Sequence, residues 1–244
     1  MAMIRLFVEA DLEAGRAAPL DQAQAHYLAG VMRLGVGAEI LVFNGRHGEW
    51  RASLQRPSKA VWALAPTVLS RAQTPTPDLE LLATLIRRPR LETVVEKAAE
   101  LGARRVRLLV TERARPGGAN LQRLRAIAIE AAEQTGRTEV PEIIAPQRLE
   151  GLLDAWSGER RLMFCDEAGD APPVLAALRD FAPAESWAIL IGPEGGFSAA
   201  ERARLRATPG AVAVGLGPRV LRADTAAIAA MTLWQAQLGD WRGS

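Results

Sequence analysis

The sequence predicts a two-part α/β protein: a small N-terminal β-barrel crossed by one helix, then an α/β domain built on a mainly parallel sheet. Three observations carry this. Residues 1–70 hold four short stretches rich in β-formers, IRLFVEA, AEILVFN, GEWRASL and AVWALAPTVL, separated by Gly, Asn or Pro. The segment RAQTPTPD (71–78) then changes the composition, and its two closely spaced prolines favour an extended linker. From Leu79 onward apolar strand-like runs alternate with helical patterns, as βαβ units require. The expected boundaries are therefore 1–70, a linker at 71–78, and 79–244.

Taken in order, the first domain's helix runs from about Gln22 to Arg33. In the second domain ELLATLI is a continuous apolar run, suited to a strand covered on both faces. LETVVEKAAELG follows, with Leu91, Val94, Val95, Ala98 and Leu101 at helical spacing and Gly102 as C-cap. RVRLLVT is the next strand. NLQRLRAIAIEAAEQTG is the next helix, with Asn120 as N-cap. RLMFCD, WAILIGP and AVAVGLG are further strands, with helices around 173–181, 198–207 and 223–238. The last helix places Ile228, Met231, Trp234 and Leu238 on one face, a stripe that suits burial against a partner or within the same subunit.

Bulk properties narrow the class. A chain of 244 residues buries roughly 70% of its unfolded surface and needs no staple. Cys165 is the only cysteine, which rules out an internal disulfide and fits a reducing compartment. The start, MAMIRLFVEADLEAG, is charged too early for a signal peptide, and no run approaches the roughly 18 apolar residues of a membrane span. The expected location is cytoplasmic, with no membrane partner. One Cys and two separated His cannot build an ordinary Cys/His zinc site, so no metal is expected. Net charge is only +2, but arginines cluster at Arg87, Arg88 and Arg90, at Arg104, Arg105 and Arg107, and at Arg113 and Arg115. Such clusters bind phosphate or form a solvated surface.

Two segments carry candidate chemistry. Ile191-Gly192-Pro193-Glu194-Gly195-Gly196-Phe197-Ser198 directly follows an apolar strand. Open α/β sheets bind ligands at the carboxyl ends of their strands, and glycines there let the backbone approach a ligand. Ser198 and Glu201 form an S-x-x-E capping box that starts a helix. Leu216-Gly217-Pro218-Arg219-Val220-Leu221-Arg222-Ala223-Asp224-Thr225-Ala226 follows another apolar strand and leads into the last helix. Taken singly, each is also what an ordinary strand–turn–helix connection with surface arginines looks like. No P-loop is present, and no G-x-G-x-x-G follows the first strand of the α/β domain, which counts against a Rossmann dehydrogenase.

Together the two segments resemble the signature loops of the SPOUT methyltransferases, and in particular the 16S rRNA uracil-N3 methyltransferases. Glu96–Gly102, Glu112-Arg113, Glu133–Arg137 and Val140-Pro141 are also similar to that family. At the front, Arg5 and Phe7, His26 with Val31 and Arg33, and Phe43-Asn44-Gly45 resemble its PUA-like RNA-binding domain. The resemblance covers nearly the whole chain. One departure is Asp224, where the family usually has Glu.

The resemblance implies a PUA-like β-barrel followed by a SPOUT α/β domain with a trefoil knot, where periodicity alone gives an ordinary doubly wound sheet. It implies S-adenosylmethionine as cofactor, 16S rRNA or the small ribosomal subunit as partner, and a homodimer. Cofactor-binding residues are expected to be Ile191, Gly192, Pro193, Gly195, Gly196, Leu216, Gly217, Leu221 and Thr225. For catalysis, Arg222 is the candidate for stabilising negative charge on uracil, and Glu194, with Glu133 behind it, for accepting the N3 proton. RNA contacts are expected from Arg5, His26, Arg33, Arg46, Arg87, Arg88 and Arg90. Alternatives are a SPOUT enzyme acting on a ribose 2′-hydroxyl, or a non-catalytic assembly factor that keeps the fold.

Overall fold

The computed structural model describes residues 3–114, 118–167, 170–183 and 185–243. Arg115 lies outside the described residues. The chain forms two compact units. The first is Met1–Pro75 with Ala132–Val140, and the second is Thr76–Ala131 with Pro141–Ser244.

The first unit is a five-stranded sheet of β1 (Arg5–Phe7), β2 (Ala18–Pro19), β3 (Glu39–Phe43), β4 (Glu49–Ser58) and β5 (Val61–Arg71). The order is β1-β3-β4-β5-β2, with β1 parallel to β3 and the other neighbours antiparallel. Alternation in β3 and β4 sends Ile40, Val42, Ala52 and Leu54 inward, where they meet Leu6, Leu28 and Leu64. The expected helix is composite. Asp21 and Gln24 form a capping box on α1 (Gln22–Ala25), and the chain continues as a π-helix, His26–Val31. It buries Leu28 and leaves His26, Tyr27 and Val31 exposed. Arg33, just beyond it, has φ 55, a left-handed conformation uncommon outside glycine.

Arg5 corrects the sequence reading that put it on RNA. Its side chain is 12% exposed and its Nε pairs with Glu49 Oε2 at 2.7 Å. Nη1 donates to the carbonyls of Ala132 and Glu133 at 2.7 and 2.8 Å, and Nη2 to that of Arg137 at 2.6 Å. The guanidinium therefore caps the end of a helix whose last carbonyls lack intrahelical partners. Glu133 also turns inward: its Oε1 accepts from the Phe7 N–H at 2.8 Å.

The second unit is a six-stranded parallel sheet in the order β11-β9-β10-β6-β7-β8. Its strands are β6 (Leu79–Thr84), β7 (Arg105–Val110), β8 (Glu142–Arg148), β9 (Arg161–Cys165), β10 (Trp187–Ile191) and β11 (Ala211–Val214). The helices are α2 (Arg88–Glu100), α3 (Leu121–Thr135), α4 (Leu149–Asp154), α5 (Val174–Ala177), α6 (Ala199–Ala207) and α7 (Ala223–Gln237). Asn120 caps α3 by accepting from the Arg123 N–H at 3.0 Å. The two central strands, β6 and β10, are buried at every position, which is why their sequences are continuously apolar apart from Glu80 and Thr84. No strand was expected at β8. It is an edge strand, half polar, with Pro146 inside, a residue that edge positions tolerate. The α7 stripe is also resolved: Met231, Trp234 and Leu238 are buried within the chain, where α7 packs against α2 and α5. Ile228, the fourth residue of the stripe, is half-buried.

The amino ends of four adjacent strands are tied by one carboxylate. Asp78, just before β6, contacts Arg160 before β9 at 2.5 Å, Ser186 before β10 at 2.7 Å, and Arg105 at the start of β7 at 2.8 Å. Glu80, 5% exposed, pairs with Arg107 at 2.7 Å beside it. Burial pushes the Asp78 carboxyl up, but hydrogen bonds from Arg160 and Ser186 and the charges of Arg160 and Arg105 outweigh it and hold the group below its ordinary value. A depressed carboxyl stabilises the fold above its unfolded value, about pH 4, and that stabilisation fades as pH falls through the lower folded value. Asp78→Asn should therefore be clearly less stable than the native chain at pH 7, with the gap closing toward pH 3. Thermal unfolding across this range checks it, and a gap independent of pH would count against the assignment.

Candidate active site

The carboxyl ends of β9, β10 and β11, three neighbouring strands, open into one cavity of about 580 Å³. This lies within the 300–1,000 Å³ range common for small-ligand sites. The loop after β10 forms one wall. Gly192 leaves room for the buried Phe197 ring, which a Cβ would approach to 3.1 Å. Gly196 closes a turn onto the Pro193 carbonyl at 2.9 Å with φ +65, and a Cβ on it would collide with the Glu167 carboxylate. The loop after β11 forms the opposite wall, where Gly217 has φ +105 and open space around it. Ser198 then caps α6, its hydroxyl accepting from the Glu201 N–H at 3.1 Å.

Of the residues expected to hold a cofactor, Ile191, Gly192, Pro193, Gly195, Gly196, Leu216, Gly217 and Leu221 line this cavity. Thr225 does not; it is exposed in the first turn of α7, beside Asp224, whose side chain accepts from the Thr225 N–H at 3.0 Å. Glu194 lines the cavity and forms an ion pair with Arg90 of α2 at 2.8 Å. Arg90 was expected on RNA; the structure places it on this loop instead. Arg222 is exposed at the N-cap of α7, between Leu221 and Ala223, which line the cavity, but is not itself part of the lining. Glu133 belongs to the first unit. His26, Arg33, Arg46, Arg87 and Arg88 are all exposed; Arg46 pairs with Asp11 at 3.0 Å and Arg88 with Glu92 at 2.8 Å.

The sequence reading missed the end of β9. Asp166, whose side chain is fully buried, pairs with Arg202 at 3.0 Å and Arg206 at 2.8 Å, and with Glu167 it forms part of the cavity wall. Two acids closing an apolar strand were the available signal. Burial, reinforced by the charge of Glu167, pushes the Cys165 thiol up to about 12. Cys165 is thus a neutral wall of the cavity and no nucleophile.

One carboxylate joins two strand ends at the site. Glu201 is buried; its Oε2 accepts from the Ser198 N–H at 2.9 Å and its Oε1 from the Glu112 N–H at 2.8 Å. The neighbouring Arg113 then donates to the Gly195 carbonyl at 2.9 Å.

Glycine-walled, largely apolar and edged by carboxylates, this cavity at the carboxyl ends of a parallel sheet defines an α/β enzyme that holds a nucleoside-like ligand. Residues 72–235 match the model of an RNA methyltransferase domain, and residues 20–61 that of an RNA methyltransferase PUA domain. The chain is 32% identical to ribosomal RNA small subunit methyltransferase E of Synechocystis sp., over 90% of this chain and 73% of that protein. It is 28% identical to the Bacillus subtilis protein of that name, over 99% of both. A crystal structure of ribosomal RNA small subunit methyltransferase E from Neisseria gonorrhoeae, bound to S-adenosyl methionine, superposes with a TM-score of 0.87 at 25% identity, covering 98% of this chain and all of that one. The chain belongs to this family of RNA methyltransferases, with a PUA domain ahead of the catalytic one.

Replacing Glu201 tests how the site is held. Glu201→Gln keeps the size but offers one acceptor oxygen, so one buried N–H loses its partner. Stability should fall by about 1–3 kcal/mol. Urea unfolding reads this directly, and a loss under about 0.5 kcal/mol would show that the double bond is unimportant.

Proposed function

We propose that this protein transfers the methyl group of S-adenosylmethionine to N3 of a specific uridine in the 16S rRNA of the small ribosomal subunit. The observation that carries the reading is the single cavity walled by both glycine loops, in a chain that belongs to an RNA methyltransferase family. The cofactor bound to the Neisseria gonorrhoeae relative supports the same ligand here. The wall fits it chemically: Leu216 and Leu221 give apolar cover for a flat base, the glycines admit close backbone contact, and Glu167 and Glu194 complement positive charge. Bound there, S-adenosylmethionine supplies an electrophilic methyl group.

The chain's own residues have two tasks. They must hold the acceptor in line, and they must handle a proton and a negative charge. N3 of uracil carries an imide proton at neutral pH, so a nearby acceptor helps. Glu194 is in place on the cavity wall, with Arg90 fixing one of its oxygens. Glu133 is set aside because its carboxylate already accepts from Phe7 in the first unit. RNA contacts fall to the exposed His26, Arg33, Arg87 and Arg88.

We also assign a homodimer and a cytoplasmic location. Val220, an apolar residue 81% exposed on the second glycine loop, supports a covering partner at the cavity rim. Among the described residues no helix is long and apolar enough to cross a membrane. Sedimentation at micromolar concentration should show a dimer, and a monomer would remove that assignment.

Mass mapping of 16S rRNA from cells with and without the gene should show one N3-methyluridine that depends on it. A lost 2′-O-methyl group would favour the ribose reading, and no change would favour an assembly role. Calorimetry on the native chain should show S-adenosylmethionine binding. Gly195→Val is the cleaner block, because a Cβ there meets only the Arg113 side chain, at 3.6 Å, while Gly196→Val also strains a backbone at φ +65. Undiminished affinity in folded Gly195→Val would refute the placement.

A further inference from the structure

A second cavity, about 290 Å³, shares Pro193, Glu194 and Gly195 with the cofactor cavity, so the two adjoin at this loop. Its other walls are Leu85 and Ile86, at the end of β6, and Arg113, after β7. Leu85 and Ile86 are apolar and buried, a surface on which a flat base can lie. Among the described residues that line it, Arg113 is the cation and Glu194 the carboxylate. Leu85 and Ile86 also line a third cavity of about 480 Å³, with Arg87, Arg88 and Glu92 of the α2 end, where Glu92 pairs with Arg88 at 2.8 Å, and Asn120 at the start of α3.

The imide edge of uracil presents an N–H between two carbonyls. A guanidinium beside a carboxylate is the complementary pair, a donor for a carbonyl and an acceptor for the N–H. We infer that the methyl-accepting uracil enters the cleft between the carboxyl ends of β6 and β10, where Arg113 holds its carbonyl edge and Glu194 lies beside its imide N–H. The inference rests on the methyltransferase reading above and gives it an acceptor site. It moves the anion-stabilising role from Arg222, outside the cavity lining, to Arg113. Glu201 holds the backbone of Glu112, and so places Arg113 against Gly195. Arg87 and Arg88 in the adjoining cavity suit the phosphates flanking an extruded nucleotide.

In the reaction a C–N bond forms at N3 as the methyl–sulfur bond breaks, the sulfonium becomes a neutral thioether, and the N3 proton leaves to a carboxylate or water. Negative charge spreads over O2 and O4 as the proton departs, and Arg113 stabilises it.

The test compares Arg113→Ala and Arg113→Lys with Arg222→Ala, using undermethylated 16S rRNA and saturating S-adenosylmethionine. Arg113→Ala should lower the single-turnover rate by about 10²–10³, while cofactor affinity measured by calorimetry stays within about threefold. Lysine should restore part of the rate, because it keeps the charge and loses the fork of donors. The defect should shrink as pH rises and uracil ionises unaided. Cofactor affinity falling in step with the rate would overturn the inference, since Arg113 would then only brace Gly195. A defect constant with pH, or a pH-sensitive defect found in Arg222→Ala instead, would also overturn it. Ultraviolet cross-linking of the native chain to the same RNA reads the cleft without turnover. A uridine adduct on residues 85–90 or 111–114 supports the site, and adducts confined elsewhere in the second unit defeat it. Absence of any N3-methyluridine product would instead defeat the underlying methyltransferase reading.

Discussion

The site depends on Glu201 having two carboxylate oxygens and using both on backbone N–H groups. One oxygen closes the capping box with Ser198 and so fixes where the glycine loop after β10 turns into α6. The other reaches Glu112, at the end of β7, a strand separated from β10 by β6. A carboxylate is what such a place requires, because it accepts without needing to donate, and a buried N–H without a partner is costly. The bond to Glu112 puts Arg113 within reach of the Gly195 carbonyl. Wall, turn and guanidinium thus share a single anchor.

The two ends of the parallel sheet are built on opposite principles. At the amino ends, Asp78 and Glu80 bind a set of arginines from neighbouring strands, and charge is matched by charge. At the carboxyl ends β10 and β11 run out into glycine loops, and their backbone is left approachable. Parallel strands align their ends, so stabilising contacts can be concentrated at one end while the other is left for a ligand.

What the sequence revealed was local. The glycine loops, the Ser198–Glu201 box, the Asn120 cap and the apolar β6 and β10 each depend on residues a few positions apart. What it hid was long-range. Arg90 and Glu194 are 104 positions apart, and Arg5 and Arg137 are 132 apart, yet each pair is in contact. A local reading sees charged residues near a site and does not see which of them hold one another. The α7 stripe illustrates the same limit: an apolar face must be covered, but its spacing does not say by what. Here α2 and α5 pack against it. The edge strand β8 escaped for a different reason, since a strand with few buried positions has no apolar signature to read.

These pairings also change how the protein's weak net charge should be understood. A net +2 is a poor basis for gripping a polyanion. Counting arginines by what they already hold alters the picture. Arg5, Arg105, Arg107 and Arg160 are engaged with carboxylates inside their units, and Arg90 is engaged at the site. Their charge is spent on the fold, and a phosphate would have to displace an existing partner. Arg33, Arg87 and Arg88 are exposed, although Arg88 also reaches Glu92 at 2.8 Å. Exposed ion pairs are weak enough for a phosphate to compete with them, whereas a buried carboxylate such as Glu80 does not release its arginines cheaply. What a polyanion would meet therefore depends on where weakly engaged arginines stand. Arg87 and Arg88 stand beside the cleft that adjoins the cofactor cavity, a placement that the overall balance of charges conceals.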